Sequence, residues 1–296
     1  IRGIAERDLT PDVTWRLGQA IGSYLVRQGC HQITLGRDCR LSSDRIRQNL
    51  SEGLLETGLS IVDIGVCPTP LLYFSLHHLD PDGGIMITGS HNPSEYNGFK
   101  IAVGKLTLYG EQIQEIGQVA EAGDFVNGVG EMKELFLEEE YRNYVSGLFG
   151  KLSNNPRVVV DAGNGMASTL APQVYKDLGC QVAELYCTMD GTFPNHHPDP
   201  TVEENLQDLV LRVGEEEADL GIAFDGDADR IGVVDEGGRI IWGDQLMILY
   251  SREILRENPG STIIGEVKCS KTLYDDIDAN GGRGIMWRTG HSLIKA

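Results

Sequence analysis

The sequence predicts an α/β protein made of repeated three-layer α/β domains with mixed, largely parallel sheets. Three observations lead there. Short apolar runs open into polar loops and then into helical periodicity, again and again: "QITL" into "GRDCRLSS", "GGIMI" into "TGSHNP", "RVVV" into "DAGNG", "DLGIAF" into "DGDADR" and "TIIGEV" into "KCSKTL". Such alternation argues for helices layered on sheets. The 37 glycines among 296 residues exceed the roughly 7% expected on average, and many stand directly after the apolar runs, where backbone can approach a ligand. The polar loops all fall at the carboxyl ends of the expected strands, the position where open sheets of this class gather ligands.

The elements follow in order. Residues 10–29 form an expected helix, with Thr10 as N-cap, Pro11 in the first turn, Leu17, Ile21, Tyr24 and Leu25 on one face, and Gly29 as the stop. "QITL" is a strand, and Ile46, Leu50 and Leu54 mark a second amphipathic helix that Ser42 can cap. "SIVDIGV" is the next strand and "PTPLLYFSLHHL" a proline-initiated helix. The segment 121–134 is rich in glycine and charge without apolar periodicity, which places a domain boundary there. The predicted units are therefore 1–134, 135–237 and 238–296, with "DEGGRII" as a hairpin or turn leading into the third. That third unit is short for an independent α/β domain and is expected to be incomplete.

Composition narrows the partners. With 25 basic and 44 acidic residues the formal charge is −19, which disfavours nucleic acid and anionic membranes unless cations are gathered locally. No apolar run approaches the ~18 residues of a membrane span. Six scattered cysteines with no C-x-x-C pair predict reduced thiols and a cytoplasmic setting. Oligomeric state is not legible.

"FDGDADR" sets Asp225, Asp227 and Asp229 at alternate positions, three hard oxygen donors that a bend at Gly226 can bring onto one divalent cation. A calcium loop of EF-hand type fits poorly, since Arg230 stands where that loop needs glycine and the flanks read as strands. A phosphatase-like D-x-D with Asp225 as nucleophile, and a merely solvated acidic turn, remain open at this level. In "TGSHNPSEYNGFK", Ser90 by itself is a weak nucleophile, and the adjacent His91 points away from it if the backbone is extended. Lys100 stands close enough in sequence to neutralise phosphate, and a phosphorylated Ser90 would add the oxygen that a three-carboxylate Mg²⁺ site lacks. Arg37 and Arg40 sit at a strand end, either as anion-facing cations or as solvated charges before a helix. Lys268, Arg288, His291 and Ser292 form a donor cluster suited to an anion. Asp161 and Asn164 read as turn formers, and "FPNHHPDP" as a rigid loop.

Taken together, "TGSHNPSEYNGFK", "FDGDADR", "GRDCRLSS", "FPNHHPDP" and "MWRTGHSLIK" resemble the α-D-phosphohexomutase superfamily, in its phosphomannomutase/phosphoglucomutase branch, from Arg2 to Lys295. The resemblance implies reversible phosphoryl transfer between the 1- and 6-positions of glucose or mannose phosphates, through a phosphoserine at Ser90 and a hexose 1,6-bisphosphate. It implies one Mg²⁺ on Asp225, Asp227, Asp229 and the Ser90 phosphate, with Lys100 and Arg230 stabilising the transferring group and His291 exchanging a proton. Substrate contacts are implied for Arg2, Arg37, His91, Lys268, Arg288, Thr289, Gly290 and Ser292. Arg288 departs from the lysine common in the family. The later sugar-selecting loop and fourth domain of the family lie beyond this sequence, so a sugar-phosphate-binding fragment without turnover is the non-catalytic alternative.

Overall fold

A computed structural model of the chain describes residues 1–290 and Ile294. The first unit contains β1 (Arg2–Ile4), α1 (Ala5–Asp8), α2 (Pro11–Arg27), β2 (Gln32–Arg37), α3 (Ser43–Leu55), β3 (Ser60–Val66), α4 (Thr69–His78), β4 (Gly83–Ile87), β5 (Tyr96–Val103), β6 (Leu106–Thr107), α5 (Glu111–Ala122) and β7 (Met132–Glu134). Its sheet runs β1-β5-β4-β2-β3-β7, with β6 paired to β5. β2, β3, β4 and β7 are parallel; β1, β5 and β6 run against their neighbours.

Alternate residues explain the layers, because successive strand side chains face opposite sides. Ile33, Leu35, Ile61, Ile85 and Ile87 pack with Ile21, Leu25, Leu50 and Leu54 of α2 and α3. Val62, Ile64 and Met86 point the other way, onto Leu71 and Leu72 of α4. α2 and α3 cross very closely: a Cβ on Gly18 would lie 2.4 Å from the Leu50 carbonyl oxygen, and one on Gly53 would lie 2.2 Å from that of Trp15.

The second unit holds α6 (Glu138–Phe149), β8 (Arg157–Asp161), α7 (Ala167–Asp177), β9 (Gln181–Leu185), a 3₁₀ turn (Glu203–Leu206), α8 (Gln207–Glu215), β10 (Leu220–Phe224), β11 (Ile231–Asp235) and β12 (Ile240–Ile241). Its sheet runs β12-β11-β10-β8-β9, parallel across β10-β8-β9 and antiparallel beyond. The third comprises α9 (Gly243–Glu257), β13 (Thr262–Glu266), α10 (Lys271–Ala279) and β14 (Arg283–Trp287), with β13 and β14 parallel.

The segment 235–241 is a hairpin, one of the two forms expected there, and its return strand β12 stays on the second sheet, because Ile240 and Ile241 pair with Val234 and Val233. Two features differ from the sequence reading. Ser42 does not cap α3: its hydroxyl instead accepts from Asn97 Nδ2 at 3.0 Å, and its own backbone is already helical. β5, unread in the sequence, inserts antiparallel between β1 and β4. Among the described residues no helix is long and apolar enough to cross a membrane.

Candidate active site

Ser90 follows β4, and the acidic loop 225–229 follows β10, so the carboxyl ends of two different sheets meet. Ser90 Oγ lies 3.1 Å from Asp225 Oδ2 and 3.3 Å from His91 Nδ1. The serine is almost fully buried, and its backbone is left-handed, with φ +52°. A conformation of that kind in a non-glycine residue stores roughly 1–3 kcal/mol and persists only where its surroundings enforce it. The backbone here is therefore not extended, and the turn brings the His91 ring back beside the hydroxyl instead of sending it to the opposite face.

The enforcement is visible. Ser90 N donates to Thr88 Oγ1 at 2.8 Å, and Gly89 N donates to Asp38 Oδ2 at 3.1 Å. Arg40, read from sequence as a strand-end cation, is buried beneath the loop. Its guanidinium donates to the carbonyls of Ser90 (2.8 Å), Asn92 (2.6 Å), Pro93 (2.5 Å) and Tyr96 (3.0 Å), and to Asp38 Oδ2 at 3.1 Å. Its charge is thereby matched by Asp38 and its donors by carbonyls, which is what burial of an arginine requires.

The three acidic side chains converge as the spacing predicts. Oxygens of Asp225, Asp227 and Asp229 all lie within 4.8 Å of one another. Asp225 Oδ1 accepts from the backbone N–H groups of Asp229 and Arg230, each at 3.0 Å, which folds the loop around its first carboxylate. Gly226 makes the approach to Ser90 possible: a Cβ there would lie 2.5 Å from the Ser90 carbonyl oxygen. Its N–H donates to Pro198 O at 3.2 Å, so the "FPNHHPDP" loop buttresses the acidic one. Within that loop His196 Nε2 sits 3.0 Å from Asp161 Oδ2.

Charge is unevenly compensated. Burial, and then the neighbouring Asp227 and Asp229, push the Asp225 carboxyl well above the usual carboxylate range. Burial acts the same way on Asp227, but the Lys100 ammonium, with hydrogen bonds from Lys100 and Thr69, holds that carboxyl low. Lys100 Nζ lies 2.7 Å from Asp227 Oδ2 and 2.5 Å from Asp229 Oδ2, and these two carboxylates raise its pKa against the opposing effect of burial. Asp227 Oδ1, by contrast, is buried without a hydrogen-bond partner among the described residues. Three converging carboxylates, an orphaned oxygen and a carboxyl strained by its neighbours together fit a divalent cation that prefers hard oxygen ligands.

The other expected residues do not all gather at the Ser90 turn. Arg230 Nη1 lies 2.9 Å from His91 Nδ1, and Arg2 Nη1 donates to Asn92 Oδ1 at 3.0 Å, so both border the Ser90 turn. Burial, then Arg230, depress the His91 pKa below the ordinary histidine value. Arg37 is engaged elsewhere, with Asp44 at 2.6 Å and Asp63 at 3.5 Å. Lys268, Arg288, Thr289 and Gly290 gather at the carboxyl ends of β13 and β14, where Thr289 donates to Glu266 and Lys268 pairs with it at 3.7 Å. His291 and Ser292 lie outside the described residues. Sequence reasoning missed Thr69, Thr88 and Asp38. Only Thr88, two residues before Ser90, carried any local hint.

Comparison with known proteins bears on the fold and its family. Models of the phosphoglucomutase/phosphomannomutase α/β/α domains match residues 1–127 (domain I), 139–238 (domain II) and 242–296 (domain III). A phosphomannomutase/phosphoglucomutase of Pseudomonas aeruginosa is 45% identical over 295 residues, covering 100% of this chain and 64% of the relative. A phosphoglucomutase of Neisseria meningitidis is 43% identical over 298 residues, covering 100% of this chain and 65% of the relative. The solved structure of a phosphoglucomutase/phosphomannomutase family protein from Burkholderia thailandensis superposes with a TM-score of 0.96 at 40% identity, covering 100% of this chain and 66% of that one. The chain thus spans about two thirds of the length of the relatives it matches.

Proposed function

Since the chain belongs to the phosphoglucomutase/phosphomannomutase family, we propose that it carries the phosphoryl-transfer centre of a hexose-phosphate mutase acting on glucose or mannose phosphates. Ser90 is the carrier. Its phosphoryl group passes to the free hydroxyl of a hexose monophosphate: the P–Oγ bond breaks, a P–O bond to the sugar forms, the sugar hydroxyl gives up its proton to His291, and the freed Ser90 oxygen takes up a proton to become the hydroxyl. The resulting 1,6-bisphosphate turns over in the site and returns its other phosphoryl group to Ser90. A cytoplasmic setting, in which the six thiols stay reduced, is part of the same reading.

The residues present suit these tasks. The left-handed turn holds Oγ at a fixed point beside the acidic loop, and positioning supplies much of the rate in phosphoryl transfer. Lys100 and Arg230 offer positive charge to the equatorial oxygens of the transferring group. Asp225, Asp227 and Asp229, with an oxygen carried on Ser90, would hold Mg²⁺, which when bound withdraws charge from the phosphoryl group. His291 is assigned the proton exchange with the sugar, and Arg2, His91, Lys268, Arg288, Thr289, Gly290 and Ser292 the sugar phosphate, while Arg37, paired with Asp44 and Asp63, is left out of that set. A nucleophilic Asp225 is disfavoured, because its Oδ1 already accepts two backbone N–H groups and its Oδ2 lies against Ser90 Oγ.

The observation that carries the reading is the 3.1 Å approach of Ser90 Oγ to Asp225 across two sheets. Incubation with glucose 1,6-bisphosphate and Mg²⁺, followed by intact-mass and peptide mapping, tests it. One phosphoryl group on the peptide containing Ser90 is expected, and none on a Ser90→Ala variant. Label on Asp225, or full mutase activity of the serine-less variant in a coupled assay, would reject it.

A further inference from the structure

Asp227 is held from outside its own unit. Its Oδ2 accepts three donors, all from the first sheet and its connections: Thr69 Oγ1 at 2.6 Å, Thr88 Oγ1 at 3.1 Å and Lys100 Nζ at 2.7 Å. Thr69 also donates its backbone N–H to the Asp227 carbonyl at 2.9 Å. The carboxylate is therefore fixed in rotation, with one oxygen saturated. The other, Oδ1, is left buried and bare.

We propose that Thr69 and Thr88 are positioning residues for the divalent cation: by saturating Oδ2 they turn Asp227 Oδ1 toward the ion. The inference rests on the cation reading above and adds the residues that tune it. Its physical basis is the usual one for outer-shell partners, which fix the orientation of a ligating group and cut the entropy lost when the ion binds. A hydroxyl has a single proton to give. Thr88 spends it on Asp227 while a lone pair accepts from Ser90 N at 2.8 Å, so this side chain ties the orientation of a metal ligand to the backbone of the phosphoryl carrier. Thr69 has no second task of that kind through its hydroxyl, which makes it the cleaner probe. The cation site is thus a property of the docked pair of sheets rather than of the acidic loop alone.

The test is Mn²⁺ binding to this chain, followed by the paramagnetic resonance of free Mn²⁺ and by calorimetry, with no substrate present. Wild type should take up one ion saturably. Thr69→Val, which keeps the volume and removes the hydroxyl, should bind about 10–100-fold more weakly, the usual cost of losing an outer-shell partner. Thr69→Ser should restore affinity to within about threefold of wild type. Circular dichroism checks folding, and if the valine variant fails to fold, Thr69→Ala decides, since the backbone bond to Asp227 survives in it. Wild-type affinity in the folded hydroxyl-less variants overturns the proposal while leaving the cation site standing. A serine variant as weak as valine overturns it too, because the methyl group rather than the hydroxyl would then matter. Absence of saturable Mn²⁺ binding in wild type overturns both this inference and the reading beneath it.

Discussion

The guanidinium of Arg40 lies over the ring of Phe193, 5.1 Å from its centroid, while its nitrogens hold the carbonyls of Ser90, Asn92, Pro93 and Tyr96. One buried side chain from the first unit thus braces the Ser90 turn from below and rests on the second unit. Lysine cannot reproduce that fork, having a compact ammonium with three donors. Arg40→Lys should lower stability by about 2–4 kcal/mol, through unpaired carbonyls and an imperfectly matched buried charge. Urea unfolding measures this, and phosphoryl uptake by Ser90 should slow in parallel. An unchanged midpoint with unchanged uptake would mean that the turn holds its shape without the brace.

Gly226 marks where the two loops touch. With a Cβ only 2.5 Å from the Ser90 carbonyl oxygen, Gly226→Ala must push the acidic loop away from the serine. A displacement near 1 Å costs on the order of 10²-fold in a positioned reaction. Phosphoryl transfer measured in single turnover should fall by that order, with a stability loss of only about 1–3 kcal/mol. Normal transfer in the variant would show that the contact is not needed during the reaction.

A packing prediction concerns the α2–α3 crossing, remote from the site. Alanine is the better helix former by about 1 kcal/mol, yet Gly18→Ala would set a methyl group 2.4 Å from the Leu50 carbonyl oxygen. Overpacking of this kind costs about 1–3 kcal/mol, so the steric effect should win and the variant should unfold at lower urea. Stabilisation instead would mean that the two helices separate without penalty.

His196 gives a pH dependence with a definite sign. Burial by itself would lower its pKa, but the hydrogen bond and charge of Asp161 raise it above the ordinary 6.5. A histidine raised on folding adds stability that is fully present below the unfolded value and is lost as pH rises through the folded value. The chain should therefore lose stability as pH rises from the unfolded value of about 6.5 through the raised folded one, and a His196→Gln variant should lose less over the same interval. Equal declines in urea midpoint for the two proteins would contradict this.

Much of this architecture can be read locally. The helix expected over 10–29 spans Pro11–Arg27, with Thr10 capping and Gly29 at φ +88° just beyond its end. Strands ending at Ile87 and Phe224, and the convergence of Asp225, Asp227 and Asp229, follow from apolar runs and spacing alone. What escapes is set at long range. β5 carries Lys100 within its apolar run, and its place in the sheet depends on pairing with β1, more than ninety residues away. The role of Arg40 differs from both readings for the same reason: an arginine in a polar loop reads as solvated or anion-facing, and only carbonyls fifty residues later make its burial favourable. Thr69 likewise looks like an ordinary helix-start threonine until Asp227 arrives from another sheet.

The left-handed turn at Ser90 also decides which alcohol can stand there. Threonine offers the same hydroxyl chemistry, but a branched β-carbon at φ +52° is a severe outlier, crowded by its own main chain. Backbone handedness, ahead of nucleophilicity, therefore bars the secondary alcohol and keeps the primary one.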